Sequence, residues 1–301
     1  MRKTVLIVFV ILAGLAASGA WLVSWAADAT APLRIGIFAD LHAHDTDSPG
    51  EKKVMTNYAL RLGAFVEAMN AWPADLAIDL GDFVNGKFVV GADLGDPARI
   101  PGILAAAEEV YARFAWPRYH VLGNHDVYDL SKEEFLAGTG AEWTYGSFDA
   151  GAYHIVILDA QFAKNDQPLG HMSWVVQGKI PPAELDWLRA DLAATTKPTL
   201  VCVHQQLNVV FDLLSGGPEI ANAADVRAIL KESGKVIAVL QGHDHESALA
   251  EIDGIRYLTF QALVDHAGGT PPSWARLVLD PVARTVAVDG EGDQADWAFA
   301  Y

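Results

Sequence analysis

Five apolar segments of this 301-residue chain each end in a histidine, aspartate or asparagine, and this pattern constrains the fold more than any other feature. Short apolar runs bounded by polar residues are typical of buried strands. In open α/β sheets, the loops after the carboxyl ends of the strands converge on one crevice. We therefore expect these polar side chains to lie together. The segments end in Asp40-Leu41-His42, Gly81-Asp82-Phe83-Val84-Asn85, Gly123-Asn124-His125-Asp126, His204 and Gly242-His243-Asp244-His245.

Helical patterns alternate with these apolar runs, which indicates an α/β domain in which helices cover the sheets. The predicted strands span 33–39, 76–80, 119–122, 153–158, 199–203 and 236–240, and short strands separated by turns are predicted over 247–289. The predicted helices span 54–69, 97–114, 182–194 and, after a cap at Asn222, 223–231. We predict one domain over residues 32–301, with residues 160–180 as a long loop.

The first 31 residues differ from the rest of the chain. Arg2 and Lys3 precede an uncharged stretch over 4–27, and small residues suited to a signal peptidase follow. The uncharged stretch is also long enough to cross a bilayer. Residues 1–31 are thus predicted to be a cleaved signal peptide or an N-terminal membrane anchor. Either interpretation implies export of the body of the protein to the periplasm or the extracellular space.

Composition restricts the partners of the chain. Hydrophobic residues make up 51%, which is typical of a globular protein with a sizeable core. The net charge is −17, from 38 acidic and 21 basic residues, so we expect no nucleic-acid partner, because little basic surface remains to neutralise phosphates. Cys202 is the single cysteine and lies in an apolar run, so no intramolecular disulfide is possible and a buried position is predicted.

The residues at the strand ends share one chemistry. Neutral imidazoles and carboxylates bind first-row divalent metals. Seven donors are too many for one ion but suit two ions if one carboxylate bridges them. Paired ions about 3.5–4 Å apart can share a hydroxide nucleophile and hold the phosphoryl oxygens around it. The seven donors are Asp40, His42, Asp82, Asn124, His204, His243 and His245.

His125 adds a group that the metal ions do not require. A histidine beside such a cluster can protonate a leaving oxygen, and a neighbouring carboxylate, here Asp126, can orient its ring. The chain lacks a Gly-x-Ser-x-Gly elbow, a P-loop and a His-Glu-x-x-His motif, which disfavours serine hydrolases, P-loop nucleotide triphosphatases and zincins.

The five blocks, in the order Asp-x-His, Gly-Asp-x-x-Asn, Gly-Asn-His-Asp, His and Gly-His-x-His, resemble those of the calcineurin-like metallophosphoesterase superfamily. The resemblance implies a sandwich of two mixed β-sheets flanked by helices. It also implies a division of the seven donors between two ions. Asp40, His42 and His245 would hold one ion, Asn124, His204 and His243 would hold the other, and Asp82 would bridge them.

The resemblance gives the remaining residues roles as well. It implies that His125 assists the leaving group or binds phosphate, with Asp126 as its partner. The His204 block reads His-Gln-Gln, whereas many relatives have His-x-Pro, so the loop beside this ligand departs from the family pattern. Among the other polar residues, His120 and His154 are expected to be structural, His44, His171 and His266 to lie in loops, and Asn85 to support the Asp82 loop.

Together these features predict an exported, metal-dependent phosphoesterase that hydrolyses phosphomonoesters or phosphodiesters by a two-metal-bound hydroxide. The metals would be Mn, Fe, Zn or Co, and the substrate a small phosphoester or nucleotide-like molecule. An alternative is a nucleotide pyrophosphatase, because residues 158–159 and 182–188 are similar to exported bacterial phosphoesterases and to ADP-ribose/CDP-alcohol diphosphatases. A second alternative is a non-catalytic, metal-holding binding module of the cell envelope.

Overall fold

The computed structural model describes residues 24–25, 29–47, 53–86, 96–171, 177–210, 219–266 and 271–301. The predicted signal or anchor segment, residues 1–31, lies outside these ranges except for 24–25 and 29–31. Within the described ranges, no helix combines the length and the hydropathy that a membrane crossing requires.

Strands and helices alternate along the first two-thirds of the chain, and strands dominate the rest. The helices are α1 (Tyr58–Ala71), α2 (Ile100–Tyr111), α3 (Lys132–Thr139), α4 (Pro182–Ala194) and α5 (Ala223–Ser233). The strands are β1 (Ser24–Trp25), β2 (Leu33–Phe38), β3 (Lys53–Val54), β4 (Leu76–Asp79), β5 (Arg118–His120), β6 (Gly146–Ala150), β7 (Tyr153–Ile157), β8 (Thr199–Cys202), β9 (Val236–Gln241), β10 (Ala248–Ile252), β11 (Ile255–Thr259), β12 (Asp265–His266), β13 (Trp274–Asp280), β14 (Thr285–Glu291) and β15 (Trp297–Ala300).

These strands form two large mixed sheets and one small ribbon. The seven-stranded sheet has the order β1-β6-β7-β8-β9-β11-β10, and its strands β7, β8, β9 and β11 are parallel. The six-stranded sheet has the order β15-β14-β13-β2-β4-β5, and only β2, β4 and β5 are parallel. Strands β3 and β12 form a two-stranded antiparallel ribbon. The predicted architecture of two mixed sheets flanked by helices is confirmed.

Alternation of side chains along the strands builds three apolar layers. Ile35 and Ile37 of β2 and Ile155 and Ile157 of β7 lie in the core between the two sheets. The neighbouring Phe38 faces the other way, into a core shared with α1, α2 and α3. On the opposite side, Val156, Val201 and Val239 pack with residues of α4 and α5. The layer order is therefore helices, six-stranded sheet, seven-stranded sheet, helices.

Some local features differ from the sequence-based expectations. Strand β5 ends at His120, two residues earlier than predicted. Helix α3 was not predicted, although Ser131 and Glu134 form a capping box at its start and Gly140 ends it with a left-handed backbone. The side chain of Asn222 does not cap α5, because it bonds both the backbone N–H and the carbonyl of Ile180.

Candidate metal centre

The predicted ligands lie at the seam between the two sheets. Asp40 and His42 follow β2, Asp82 follows β4 and Asn124 follows β5, all in the six-stranded sheet. His204 follows β8, while His243 and His245 follow β9, in the seven-stranded sheet. Each loop starts at the carboxyl end of a parallel strand, which is where such sheets place their sites. The structure thus brings together the polar residues that the sequence places at the ends of separate strands.

One group of potential ligand atoms comes from Asp40, His42 and His245, which lie within 4.8 Å of one another. The Nε2 atoms of His42 and His245 are 3.0 Å apart. The Oδ1 atom of Asp40 lies 3.3 Å from Nε2 of His245 and 3.8 Å from Nε2 of His42. This is the same trio that the family resemblance assigns to one ion.

A second group comes from Asp82, His204 and His243. The Oδ2 atom of Asp82 lies 3.2 Å from Nε2 of His204 and 3.7 Å from Nε2 of His42, so its carboxylate stands between the two groups. Nδ1 of His243 is 3.3 Å from Nε2 of His204. The arrangement gives Asp82 the position that a bridging ligand requires.

Hydrogen bonds to the far side of the rings orient two of the histidines. His42 donates from Nδ1 to Oδ1 of Asn85 at 2.8 Å, and His204 donates from Nδ1 to the carbonyl of Leu80 at 2.8 Å. Each bond fixes the tautomer and directs the Nε2 lone pair into the site, as is usual for metal-binding histidines. Asn85 therefore supports His42 directly, whereas the sequence suggested only support of the Asp82 loop.

Strained backbone conformations accompany the ligands. Five of the seven have a positive φ: Asp40 (55°), His42 (47°), Asp82 (55°), His243 (74°) and His245 (58°). Non-glycine residues rarely adopt this left-handed region, and such strain concentrates at functional sites. Gly123 is required by close approach, because a Cβ atom there would overlap the backbone nitrogen and Oδ1 of Asp82. These residues thus adopt an unfavourable backbone conformation that orients their side chains into the site.

Two oxygen atoms in the site fit a cation. Oδ1 of Asp40 and Oδ1 of Asn124 are buried and accept no hydrogen bond. The amide nitrogen of Asn124 donates to the hydroxyl of Tyr128 at 2.7 Å, which leaves the carbonyl oxygen as the atom available to a metal. Buried acceptors without a partner are costly, and a bound cation would satisfy both. The donor set of oxygens and imidazole nitrogens therefore fits a divalent metal.

The electrostatics of the site also suit a cation. Burial opposes the charge of Asp82 and would raise its pKa, but the nearby His204 holds that pKa well below its usual range. Burial would likewise lower the pKa of His204, yet the carboxylates of Asp82 and Asp40 raise it to about 10. Burial lowers the pKa of His243 to about 4. Metal binding would then replace the proton of His204 and leave carboxylates and neutral rings as ligands.

His125 and Asp126 occupy different positions relative to the cluster. The ring of His125 stands edge-on to that of His42, with centroids 4.6 Å apart, and its backbone N–H donates to Oδ1 of Asp82. Both oxygens of Asp126 accept from backbone N–H groups, those of Asp82, Val84 and Gly123, at 2.8–3.0 Å. These bonds show that Asp126 supports the loops of Asp82 and Asn124, and its expected role in orienting the His125 ring stays a prediction, as does its part in the reaction.

The remaining histidines make other contacts. His120 bonds Asp79 and Glu108, and His154 bonds Asp149 and Asp191, so both are held as structural residues. His44 is buried beside Thr46, and the exposed His171 contacts Glu134. The backbone of His266 pairs with Lys53 in the β3–β12 ribbon. Sequence reasoning missed Tyr128 and the buried amides of Gln161 and Gln205.

Comparison with known proteins agrees with this geometry. The sequence model of the calcineurin-like phosphoesterase family matches residues 33–247. A manganese-dependent ADP-ribose/CDP-alcohol diphosphatase of Xenopus tropicalis is 23% identical over 299 residues, covering 79% of this chain and 84% of the relative. A protein of the same name from Arabidopsis thaliana is 22% identical over 280 residues, covering 78% of this chain and 87% of the relative.

Solved structures show the same fold. A dimetal phosphatase from Danio rerio superimposes with a TM-score of 0.71 at 16% identity, over 89% of this chain and 99% of that chain. The family match covers more than half of the chain and includes the five ligand loops up to His245. The chain therefore belongs to the calcineurin-like phosphoesterase family and is a metal-dependent hydrolase that acts on phosphoric ester bonds.

Proposed function

We propose that the site binds two metal ions and hydrolyses phosphomonoesters or phosphodiesters of small, nucleotide-like molecules. The observation that carries this proposal is the position of Asp82. Its Oδ2 lies between His42 of one ligand group and His204 of the other. Two ions held in this way would polarise the phosphoryl group and activate a water molecule.

The residues of the chain would position the substrate and control proton transfer. The two ligand groups would hold the ions, and with them the phosphoryl group, at the seam between the sheets. His125 lies within the cluster, with its potential ligand atom within 4.8 Å of those of His42 and Asp82, where its ring would donate a hydrogen bond to a phosphoryl or leaving-group oxygen. The hydrogen bond from its backbone N–H to Asp82 keeps this ring in a fixed relation to the bridging carboxylate.

Metal removal and restoration test the proposal. Purified protein should contain two ions per chain by elemental analysis. Manganese is the metal we propose, since the names of two relatives specify it. Chelation should abolish hydrolysis of p-nitrophenyl phosphate and of its bis ester, and Mn²⁺ should restore it. A stoichiometry of one ion, or full hydrolysis by the metal-free chain, would contradict the proposal.

A second candidate is hydrolysis of pyrophosphate-linked nucleotides. It is favoured by the relatives from Xenopus tropicalis and Arabidopsis thaliana, which are named as ADP-ribose/CDP-alcohol diphosphatases and cover more than three-quarters of the chain. Rates on ADP-ribose and CDP-choline should be compared with those on the two p-nitrophenyl esters, at the same Mn²⁺ concentration. A higher kcat/KM on the nucleotides would assign the natural substrate to this class.

We also propose that the protein acts outside the cytoplasm, since residues 1–31 have the charge and hydropathy pattern of a signal peptide or anchor. Cell fractionation with mass determination of the N-terminus separates the two forms. A cleaved signal yields a shortened, released chain, whereas an anchor yields a full-length chain in the membrane fraction. A full-length chain in the cytoplasm would refute export.

A further inference from the structure

Two glutamine side chains form a buried amide pair beside the metal centre. Gln161 donates from Nε2 to Oε1 of Gln205 at 2.7 Å, and Gln205 donates back from Nε2 to Oε1 of Gln161 at 3.3 Å. Both residues are fully buried, at 0% exposure. A buried amide is costly unless its donors and acceptors are satisfied, so this pair holds its members in one relative position.

The pair joins the loops that carry two of the ligands. Gln205 directly follows His204, at the end of β8 in the seven-stranded sheet. Nε2 of Gln161 also donates to the carbonyl of Leu122 at 3.0 Å, two residues before Asn124 at the edge of the six-stranded sheet. The Gln161–Gln205 pair therefore bridges the seam between the sheets at the place where Asn124 and His204 converge.

A network of charged residues holds the backbone of Gln161. The backbone N–H of Gln161 donates to Oδ1 of Asp159 at 2.8 Å, and Oδ2 of Asp159 contacts Nζ of Lys132 at 2.6 Å. The backbone N–H of Asp159 in turn donates to Glu184 of α4 at 2.8 Å. Asp159 and Glu184 belong to residues 158–159 and 182–188, the two segments that are similar to other phosphoesterases but contain no proposed metal ligand. The network anchors Gln161 to α3 and α4.

We propose that Gln161 and Gln205 are positioning residues for the ion held by Asn124, His204 and His243, and that they act less on the ion held by Asp40, His42 and His245. The proposal rests on the two-ion function proposed above. Its physical basis is that the amide pair and its bond to Leu122 set the distance between the Asn124 and His204 loops. The bonds of the pair reach the Asn124 and His204 loops, whereas His42 is held by Asn85.

The test is a Mn²⁺ titration of the metal-free chain by calorimetry, with stoichiometry from elemental analysis. Gln161→Met keeps the length of the side chain but removes the amide. We expect one of the two ions to bind about 10- to 100-fold more weakly, as for other residues that orient metal ligands. The other ion should keep its affinity. Equal weakening of both ions, or an unchanged isotherm, would overturn the proposal.

A double variant separates positioning from general stability. Gln161→Met with Gln205→Met also removes the Gln205 amide that the single variant leaves facing an apolar side chain, so Tm should rise relative to the single variant. The weakened ion should stay weak, because the link to Leu122 is still missing. Recovery of wild-type affinity in this double variant would show that Gln161 acts through stability alone.

Asn70→Ala is the control, because it removes an amide that bonds the backbone of Arg113 and Ala115, before the start of β5 and so at the opposite end of that strand from Asn124. It should leave the two-ion isotherm unchanged. The same titration separates this inference from the function on which it rests. A wild-type chain that binds fewer than two ions would refute the two-ion proposal, whatever the variants do.

Discussion

Two buried groups of histidines and carboxylates lie close together in this protein and differ in how their atoms are satisfied. In the His120 cluster, formed by Asp79, Glu108 and His120, both ring nitrogens contact carboxylates, Nδ1 at 3.0 Å from Asp79 and Nε2 at 3.2 Å from Glu108. In the metal centre, imidazole nitrogens face one another instead, and Oδ1 of Asp40 accepts no hydrogen bond.

The backbone shows the same contrast. Asp79 and His120 belong to the regular strands β4 and β5, and Glu108 belongs to α2. Five ligands of the metal centre have a left-handed backbone instead. Opposite charges that satisfy each other explain the His120 cluster as part of the fold. Converging ligand atoms on a strained backbone fit a bound cation, so burial of polar residues alone does not identify a site.

Neutralising one carboxylate in each group tests whether the two groups have different roles. Asp82→Asn should lower kcat/KM by about a thousand-fold or more, because metal ions contribute several kcal/mol to transition-state stabilisation. It should also lower the metal content. Asp79→Asn, three residues earlier, should keep both ions and reduce stability instead. Steady-state kinetics, elemental analysis and denaturation measure kcat/KM, metal content and stability in both variants. Metal loss in both would show that the two groups do not differ in role.

Within the metal centre, neighbouring residues should separate metal binding from chemistry. His125→Ala should keep both ions and lower kcat by about 10²- to 10⁴-fold, the range typical of a lost general acid or base. The adjacent Asn124→Ala should instead reduce metal loading, since it removes a buried oxygen that has no hydrogen-bond partner in the protein. Elemental analysis beside single-turnover rates makes the comparison. Equal loss of metal in the two variants would disprove the division of roles.

The convergence of the seven proposed ligands could be predicted because each of them follows an apolar run. Strand ends are visible in the sequence, and parallel strands bring their carboxyl ends together. The bonds of Asp126 could not be predicted in this way. Its neighbour His125 suggested a catalytic pair, whereas the fold brings the backbone N–H groups of Asp82 and Val84 within reach of its carboxylate.

The sequence pattern gave even less indication of the residues that support the ligands from other elements. Gln161 lies in a segment predicted as loop, and its partners Gln205 and Leu122 are about 40 residues away in either direction. Such contacts depend on how the two sheets face each other, which periodicity along one strand does not reveal. Helix α3 is a different case, because the Ser131–Glu134 capping box was present in the sequence without a long apolar pattern to mark the helix.

The His120 cluster makes its own prediction, in the pH dependence of stability. Burial opposes the charge of His120, but the hydrogen bonds that its ring donates to Asp79 and Glu108 raise its pKa from 6.5 to about 9. The stabilisation is therefore complete below pH 6.5 and is lost as the pH rises through about 9. At about 1.4 kcal/mol for each pKa unit, it amounts to about 3 kcal/mol.

Urea denaturation between pH 6 and 10 measures this term as the difference between the wild-type chain and His120→Gln. The wild-type free energy of unfolding should fall across this range, whereas that of the variant should lack this component. Both proteins should bind the same number of metal ions throughout. Parallel pH profiles would show that His120 is not charged in the folded chain, and loss of metal in the variant would link the two groups.

A weaker effect on metal affinity is expected at Asn85, which is the counterpart of Gln161 for the other ion. Its Oδ1 accepts the Nδ1 proton of His42 and so aims Nε2 of that ring into the site. Asn85→Ala should weaken the ion held by Asp40, His42 and His245 by about 10- to 100-fold. The ion held by Asn124, His204 and His243 should be unaffected.

Asn85→Asp provides the matched control, because a carboxylate oxygen still accepts the Nδ1 proton and should preserve the affinity. Mn²⁺ titrations of Asn85→Ala and Gln161→Met should then be complementary, each variant losing the ion that the other retains. In the combined variant, the two losses should appear independently, since the residues contact different ligand loops. If both single variants weakened the same ion, Asn85 and Gln161 would position the same ligands. The two ligand groups would then form one metal site rather than two sites joined by Asp82.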